Sequence, residues 1–153
     1  MGEGRKYTAY CGLYCRDCIP GNKHLFEIVT KLETTLEEVK FKEYANFKSK
    51  KSEVFNYYNK FIDVLKEIKK LECSGSCYEG PHSLLGCTLN CRIRMCVMEK
   101  EYEGCWECEE SKKCDKLHKH KDFHPGVARN LEMIKVYGVE DWIENRGKHY
   151  KWS

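Results

Sequence analysis

No apolar run in this sequence exceeds a few residues, whereas a bilayer-spanning helix needs about 20. The opening stretch, MGEGRKYTAYCG, has no apolar centre of the kind a secretory signal requires. Lys6 stands where an N-myristoylation motif takes serine or threonine. Without a span, a signal or a lipid site, the expected location is the cytoplasm and no membrane partner is expected. Strand alternation and internal repeats are missing too, which leaves helix as the main regular structure.

Cysteine is abundant: eleven in 153 residues. In a reducing compartment disulfides are disfavoured, and an odd count leaves one thiol over in any complete pairing. Clustered thiols in that setting point to metal. The formal charge of +3 counts every thiol as neutral. A Zn(Cys)4 site carries about −2, so two such sites would bring the chain to about −1, and the apparent basicity is a weak argument for nucleic acid. Length and composition, with 41% hydrophobic and 33% charged residues, suit one soluble folded domain.

Four segments follow from the cysteine distribution: a first thiol loop (1–21), a helical layer (22–72), a cysteine-rich metal centre (73–118) and C-terminal helices (119–153). In the second segment Leu25, Phe26, Ile28, Val29, Leu32, Leu36 and Val39 recur at helical steps, and so do Val54, Phe55, Tyr58, Phe61, Ile62, Leu65, Ile68 and Leu71. Ser52 is a candidate N-cap for the second run. Between the runs, Phe41, Tyr44 and Phe47 read as the packed side of a short helix with a lysine face. In 73–118, Leu84, Leu85, Leu89, Ile93 and Trp106 are too few to order the segment, which points to metal staples. Near the end, Pro125 fits a first helical position and Gly138 a C-terminal cap. Val127, Leu131, Ile134 and Val136 or Tyr137 mark the buried side, with Trp142 and Ile143 anchoring a last helix. The expected fold is mainly α, with helices flanking a loop-rich, cysteine–metal-stapled centre.

Three clusters carry the chemistry. Cys11, Cys15 and Cys18 supply three thiols in a Pro/Gly-bounded loop, so a tetrahedral ion needs a fourth, from Cys73 or Cys77 of CSGSC. Cys91, Cys96, Cys105, Cys108 and Cys114 form the second cluster, with Cys87 nearby. Its CWEC knuckle lacks the βαβ surroundings of a thioredoxin-type pair, and Glu107, Glu109 and Glu110 disfavour a free thiolate. His82 is the first histidine to consider for an extra ion, while His118, His120 and His124 sit in a lysine-rich stretch that reads as solvated. The C-x3-C-x2-C spacing also occurs in radical S-adenosylmethionine enzymes. Those enzymes carry an aromatic residue where this chain has Asp17, and they need a β/α barrel that the chain is too short to form.

Read together, YCGLYCRDCIP, FKEYANFKSKKSEVF, LECSGSC, CRIRMC, GCWECEESKKCDKL and NLEMIKVYGVEDWI resemble a prokaryotic cysteine-rich family of unknown function. Its marks are a C-G-L-x-C-x-x-C opening, a C-x-I-R-x-C centre and a G-C-x-x-C…C-x-K-L segment. The resemblance implies metal binding, presumed to be zinc, and brings no activity. The ligands it implies are Cys11, Cys15, Cys18, Cys73, Cys77, Cys91, Cys96, Cys105, Cys108 and Cys114. The expected function is therefore a structural zinc module, leaning non-enzymatic, that presents a surface to a protein or nucleic acid. An iron–sulfur protein in electron transfer or cluster-dependent chemistry is the alternative, and a nucleic-acid binder using the 40–51 lysines is a further one.

Overall fold

The side chain of Asn22 accepts a hydrogen bond from the Leu25 amide at 3.2 Å and starts the longest helix, as a capping residue should. This and the other elements come from a computed structural model that describes residues 2–79, 87, 90–121 and 124–147, side chains at 119–121 apart. Among these residues the fold is mainly α: α1 (Glu3–Tyr7), α2 (Lys23–Glu38), α3 (Phe41–Lys48), α4 (Tyr58–Lys70), α5 (Arg92–Glu99), α6 (Asp115–Lys121) and α7 (Val127–Asp141). Short 3₁₀ turns join them, and the only extended pairing among the described residues is an isolated Thr8–Tyr14 bridge. No described helix is long and apolar enough to cross a membrane.

Helices α2, α3 and α4 pack on one another as a layer. Lys40, at φ 52°, turns the chain from α2 into α3, and α3 returns it so that α4 runs antiparallel to α2. Phe26, Val29 and Leu65 are buried along the contact, with the buried Glu33 carboxylate paired to Lys69. Phe41 packs between Phe55 and Tyr58, with ring centroids 6.3 and 5.6 Å away. Tyr44 and Phe47 are not packed as expected: they are 50% and 65% exposed, and the residue α3 buries is Ala45. Ser52 heads a 3₁₀ turn (Glu53–Tyr57) rather than α4, and its side chain makes no cap hydrogen bond.

The main core lies elsewhere, among the first thiol loop, α5, the CWEC knuckle, α6 and α7. Val127, Leu131 and Ile134 face it, but Val136 and Tyr137 are exposed. Gly138, at φ 79°, breaks the helical path so that Val139 and Trp142 can turn back inward. A side chain at that φ would be strained. Helix α7 begins at Val127, two residues beyond Pro125. The cysteine-rich segment contributes Ile93, Val97, Trp106 and Leu117 to this core, so its order does not rest on sulfur alone. No residue of α2, α3 or α4 belongs to the cluster, and the molecule thus has two packing groups.

Trp142 closes the main core. It is fully buried, and its indole N–H donates to Thr8 Oγ1 at 2.8 Å, while the Thr8 hydroxyl donates to the Gly4 carbonyl at 2.6 Å. Trp142→Ala should destabilise the protein by about 3–5 kcal/mol, read as a lowered urea midpoint. Trp142→Phe keeps the ring packing and should lose less.

Candidate metal centre

The first thiol loop is shaped by a tight turn. The Ala9 amide donates to Leu13 O at 2.7 Å and the Gly12 amide to Ala9 O at 2.8 Å. Gly12 sits at φ 82°, with the place of a Cβ only 2.8 Å from Leu131 Cδ2. The turn buries Cys11, and two 3₁₀ turns follow, Cys15–Asp17 and Ile19–Gly21. Three residues per turn bring Cys15 and Cys18 to the same edge. Asp17, between them, holds the Arg146 guanidinium in a two-point pair at 2.7 and 3.1 Å. That pair ties the loop to the C-terminal helices and gives Asp17 its role.

Seven cysteines line one cavity of about 420 Å³: Cys11, Cys15, Cys18, Cys73, Cys77, Cys87 and Cys91. It lies where the helical layer meets the main core. The Cys73 amide donates to Pro20 O at 2.8 Å, and Lys23 Nζ donates to the Cys73 carbonyl at 2.7 Å. Backbone amides are aimed at three of the sulfurs: that of Leu13 at Cys11, of Cys77 at Cys15 and of Tyr10 at Cys77. Burial nevertheless outweighs them. It pushes the Cys11 thiol well up and the Cys15 thiol to about 12, with neighbouring sulfurs adding to the effect. The Cys87 thiol is also held at about 12, by desolvation and then by Cys18, Cys77 and Cys91, although the residue as a whole is exposed. Lys6, Arg16, Lys23 and Arg94 line the same cavity. Arg94 favours the Cys77 thiolate, against the larger effect of burial.

The other four cysteines, Cys96, Cys105, Cys108 and Cys114, line a second cavity of about 30 Å³. Successive three-residue turns build it. The amides of Cys108, Ser111 and Cys114 donate to the carbonyls of Cys105, Cys108 and Ser111 at 3.2, 3.2 and 3.5 Å. Cys105, Cys108, Ser111 and Cys114 therefore share one edge, and α5 sets Cys96 against it. Burial pushes the Cys105 thiol to about 12, with Cys114 and Cys108 contributing next. Cys96 holds the Lys116 ammonium above its usual range. The Cys105 amide donates to Tyr10 O at 2.8 Å and so links the two centres.

The clusters expected from spacing are thus brought together, with Cys91 and Cys87 reassigned. Cys91 lines the wider cavity rather than joining Cys96. Five residues separate the two, which is about 140° around a helix, so they face different centres. Cys87 also joins the wider set, and Ser111 joins the compact one. The signal for Ser111 was present in the sequence, as the missing member of a column of three-residue steps. His118 is exposed, and His124 is fully buried rather than solvated but lines neither cavity. His82, and with it Leu84, Leu85 and Leu89, lies outside the described residues, and so does the side chain of His120.

The donor set suits a thiophilic ion. Packed neutral thiols exchange protons for a cation, and the aimed amides favour the sulfur that has lost its proton. Among the described residues, however, no three cysteine, histidine, aspartate or glutamate side chains already close into a coordination set.

A family of proteins of unknown function (DUF3795) matches residues 7–119. The chain belongs to that family. The match takes in every cysteine lining the two cavities and stops before α7. No curated protein and no solved structure matches the chain.

Gly12→Ala should lower stability by about 1–3 kcal/mol, because the left-handed turn and Leu131 both oppose a methyl group. The loss should appear as a lowered urea midpoint.

Proposed function

We propose that this DUF3795 protein is a thiolate-metal module in which two centres of different size pin a partner-binding helical layer to a small helical core. The single observation that carries this reading is the partition of cysteine: seven sulfurs line one cavity, four line the other, and none is left over. The compact centre has the volume and donor number for one structural zinc held by Cys96, Cys105, Cys108 and Cys114. Bound there, zinc would supply a charge-compensating staple between α5 and the CWEC turn. The residues themselves orient the sulfurs, exclude water and release protons on loading.

The wider cavity favours a larger occupant. Seven sulfurs around about 420 Å³ exceed what one tetrahedral ion uses. This supports either several zinc ions sharing thiolates or an iron–sulfur cluster. Elemental analysis of anaerobically purified protein separates the two. A colourless protein with more than two zinc equivalents per chain is expected, while a brown protein with iron and sulfide would assign the wider centre to a cluster. Cys108→Ser should remove one equivalent and leave the wider centre filled. Stripping metal with a chelator should abolish amide protection across α5 and the CWEC turn. Unchanged protection after complete removal would overturn the structural role.

Exposed Tyr44 and Phe47, with Lys48 Nζ 5.4 and 5.9 Å from their ring centroids, also support nucleic acid as a partner of α3. Binding of this kind falls steeply as salt rises, and a salt-independent or absent signal with single-stranded RNA and DNA would remove it.

A further inference from the structure

Helices α2 and α4 each carry two largely apolar seams, and among the described residues only one of them packs against the other helix. Along the used seams, Phe26, Val29, Glu33 and Leu36 meet Tyr58, Ile62, Leu65 and Lys69. The second seam runs through Ile28, Leu32 and Thr35 of α2 to Val39 at its C-cap, and from Tyr57 at the N-cap of α4 through Phe61, Val64 and Ile68. Both second seams step by four, three and four residues, the spacing of a helix-bundle contact. Ile28, Leu32 and Val39 are 51%, 39% and 61% exposed, and Phe61 and Val64 are 44% and 55% exposed.

At about 100° per residue, each open seam lies roughly a right angle from the used one. On antiparallel neighbours these rotations bring both open seams to the same side of the layer. A helix in a four-helix bundle has two long neighbours set at such an angle; among the described residues α2 and α4 pack on each other and on the eight-residue α3, and the open seams stay exposed. We propose that a second copy of this chain covers the open face, two α2–α4 hairpins closing into an antiparallel four-helix bundle.

Charge favours this occupant. Beside the open seam each helix carries a lysine followed seven residues later by a glutamate, Lys31 and Glu38 on α2 and Lys60 and Glu67 on α4. Antiparallel apposition sets the lysine of one protomer against the glutamate of its partner, as an isologous interface requires. Taken whole, α2 has four carboxylates and two lysines, while α4 has four lysines and two carboxylates. This favours α2 of one protomer over α4 of its partner, with Lys31 facing Glu67 and Glu38 facing Lys60. The open seams offer roughly 500 Å² of apolar surface, reckoned from half-exposed large side chains. With a polar rim, that approaches the roughly 800 Å² per partner of a standard interface.

The inference deepens the reading of the helical layer as a partner surface and is independent of which metal is bound. The test is sedimentation equilibrium of the metal-loaded full chain, with metal content measured alongside. The expected mass is twice the 18.1 kDa of the chain. Leu32→Glu and Phe61→Glu alter exposed positions that a monomer tolerates. Each should weaken association about tenfold or more while far-UV circular dichroism and metal content stay unchanged. Lys31→Glu should weaken it less, and adding Glu67→Lys should restore it. A single-chain mass across the concentration range, or a dimer indifferent to both seam variants, would overturn the proposal, whether or not a different protein or nucleic acid then binds the layer. Failure of the charge pair to rescue would overturn the α2-on-α4 arrangement. Loss of metal with the dimer intact would instead count against the metal reading alone.

Discussion

Sulfur taken out of water is the constraint on which the rest of this structure depends. A thiol packed among other thiols cannot ionise alone, because desolvation and neighbouring sulfur both oppose the charge. Cys11, Cys15, Cys77, Cys87 and Cys105 are all pushed upward for those reasons. Yet the Leu13, Cys77 and Tyr10 amides and the Arg94 guanidinium are arranged to favour ionised sulfur. On the proposed reading, a cation among the sulfurs would reconcile the two tendencies. The short 3₁₀ turns, the left-handed Gly12 and the Asp17–Arg146 pair hold donors in place where an oily core would have no use for them.

Much of this was legible in the sequence where local geometry decides it. Helices α2, α4 and α7 follow from apolar periodicity, and the break at Gly138 follows from glycine's access to positive φ. The pairing of Cys11, Cys15 and Cys18 with Cys73 and Cys77 follows from ligand number. Periodicity does not report how many sides of a helix are covered. Tyr44, Phe47, Val136 and Tyr137 keep the right spacing for burial but stay exposed among the described residues. The assignment of Cys91 failed for a different reason: nearness in sequence groups Cys91 with Cys96, whereas the helical turn between them separates their directions. Asp17 looked like a departure from a motif, and only its partner Arg146, far along the chain, shows what it does.

The cysteine-rich segment also shows how hydrocarbon from elsewhere in the chain can help to order a short stretch. Counting aliphatic residues within 73–118 suggested that metal must do nearly all of it. The count omitted what other segments bring. Trp106 and Leu117 pack against Leu131, Ile134 and Trp142 of the C-terminal helices, so the segment borrows a core from outside its own boundaries. On the proposed reading, filled centres would fix what that core leaves loose, namely the direction of α5 and the junction with the helical layer.

That junction bears on the role proposed for the layer. Helices α2, α3 and α4 bury little against the main core, and the chain enters and leaves the layer beside the wider thiol cavity, at Pro20–Lys23 and Glu72–Cys73. A hairpin held at its open end can be rigid in orientation while its sides stay exposed. Filling the cavity would therefore set the direction in which the apolar seams point without touching the seams themselves. A layer with spare seams is unfinished as a packing unit: among the described residues α2 and α4 pack on each other and on the short α3, and each keeps a second seam exposed. The wider thiol cavity lies at the base of the layer and the exposed seams run along its sides, so on the proposed readings the metal centre and the partner surface would be two consequences of one arrangement.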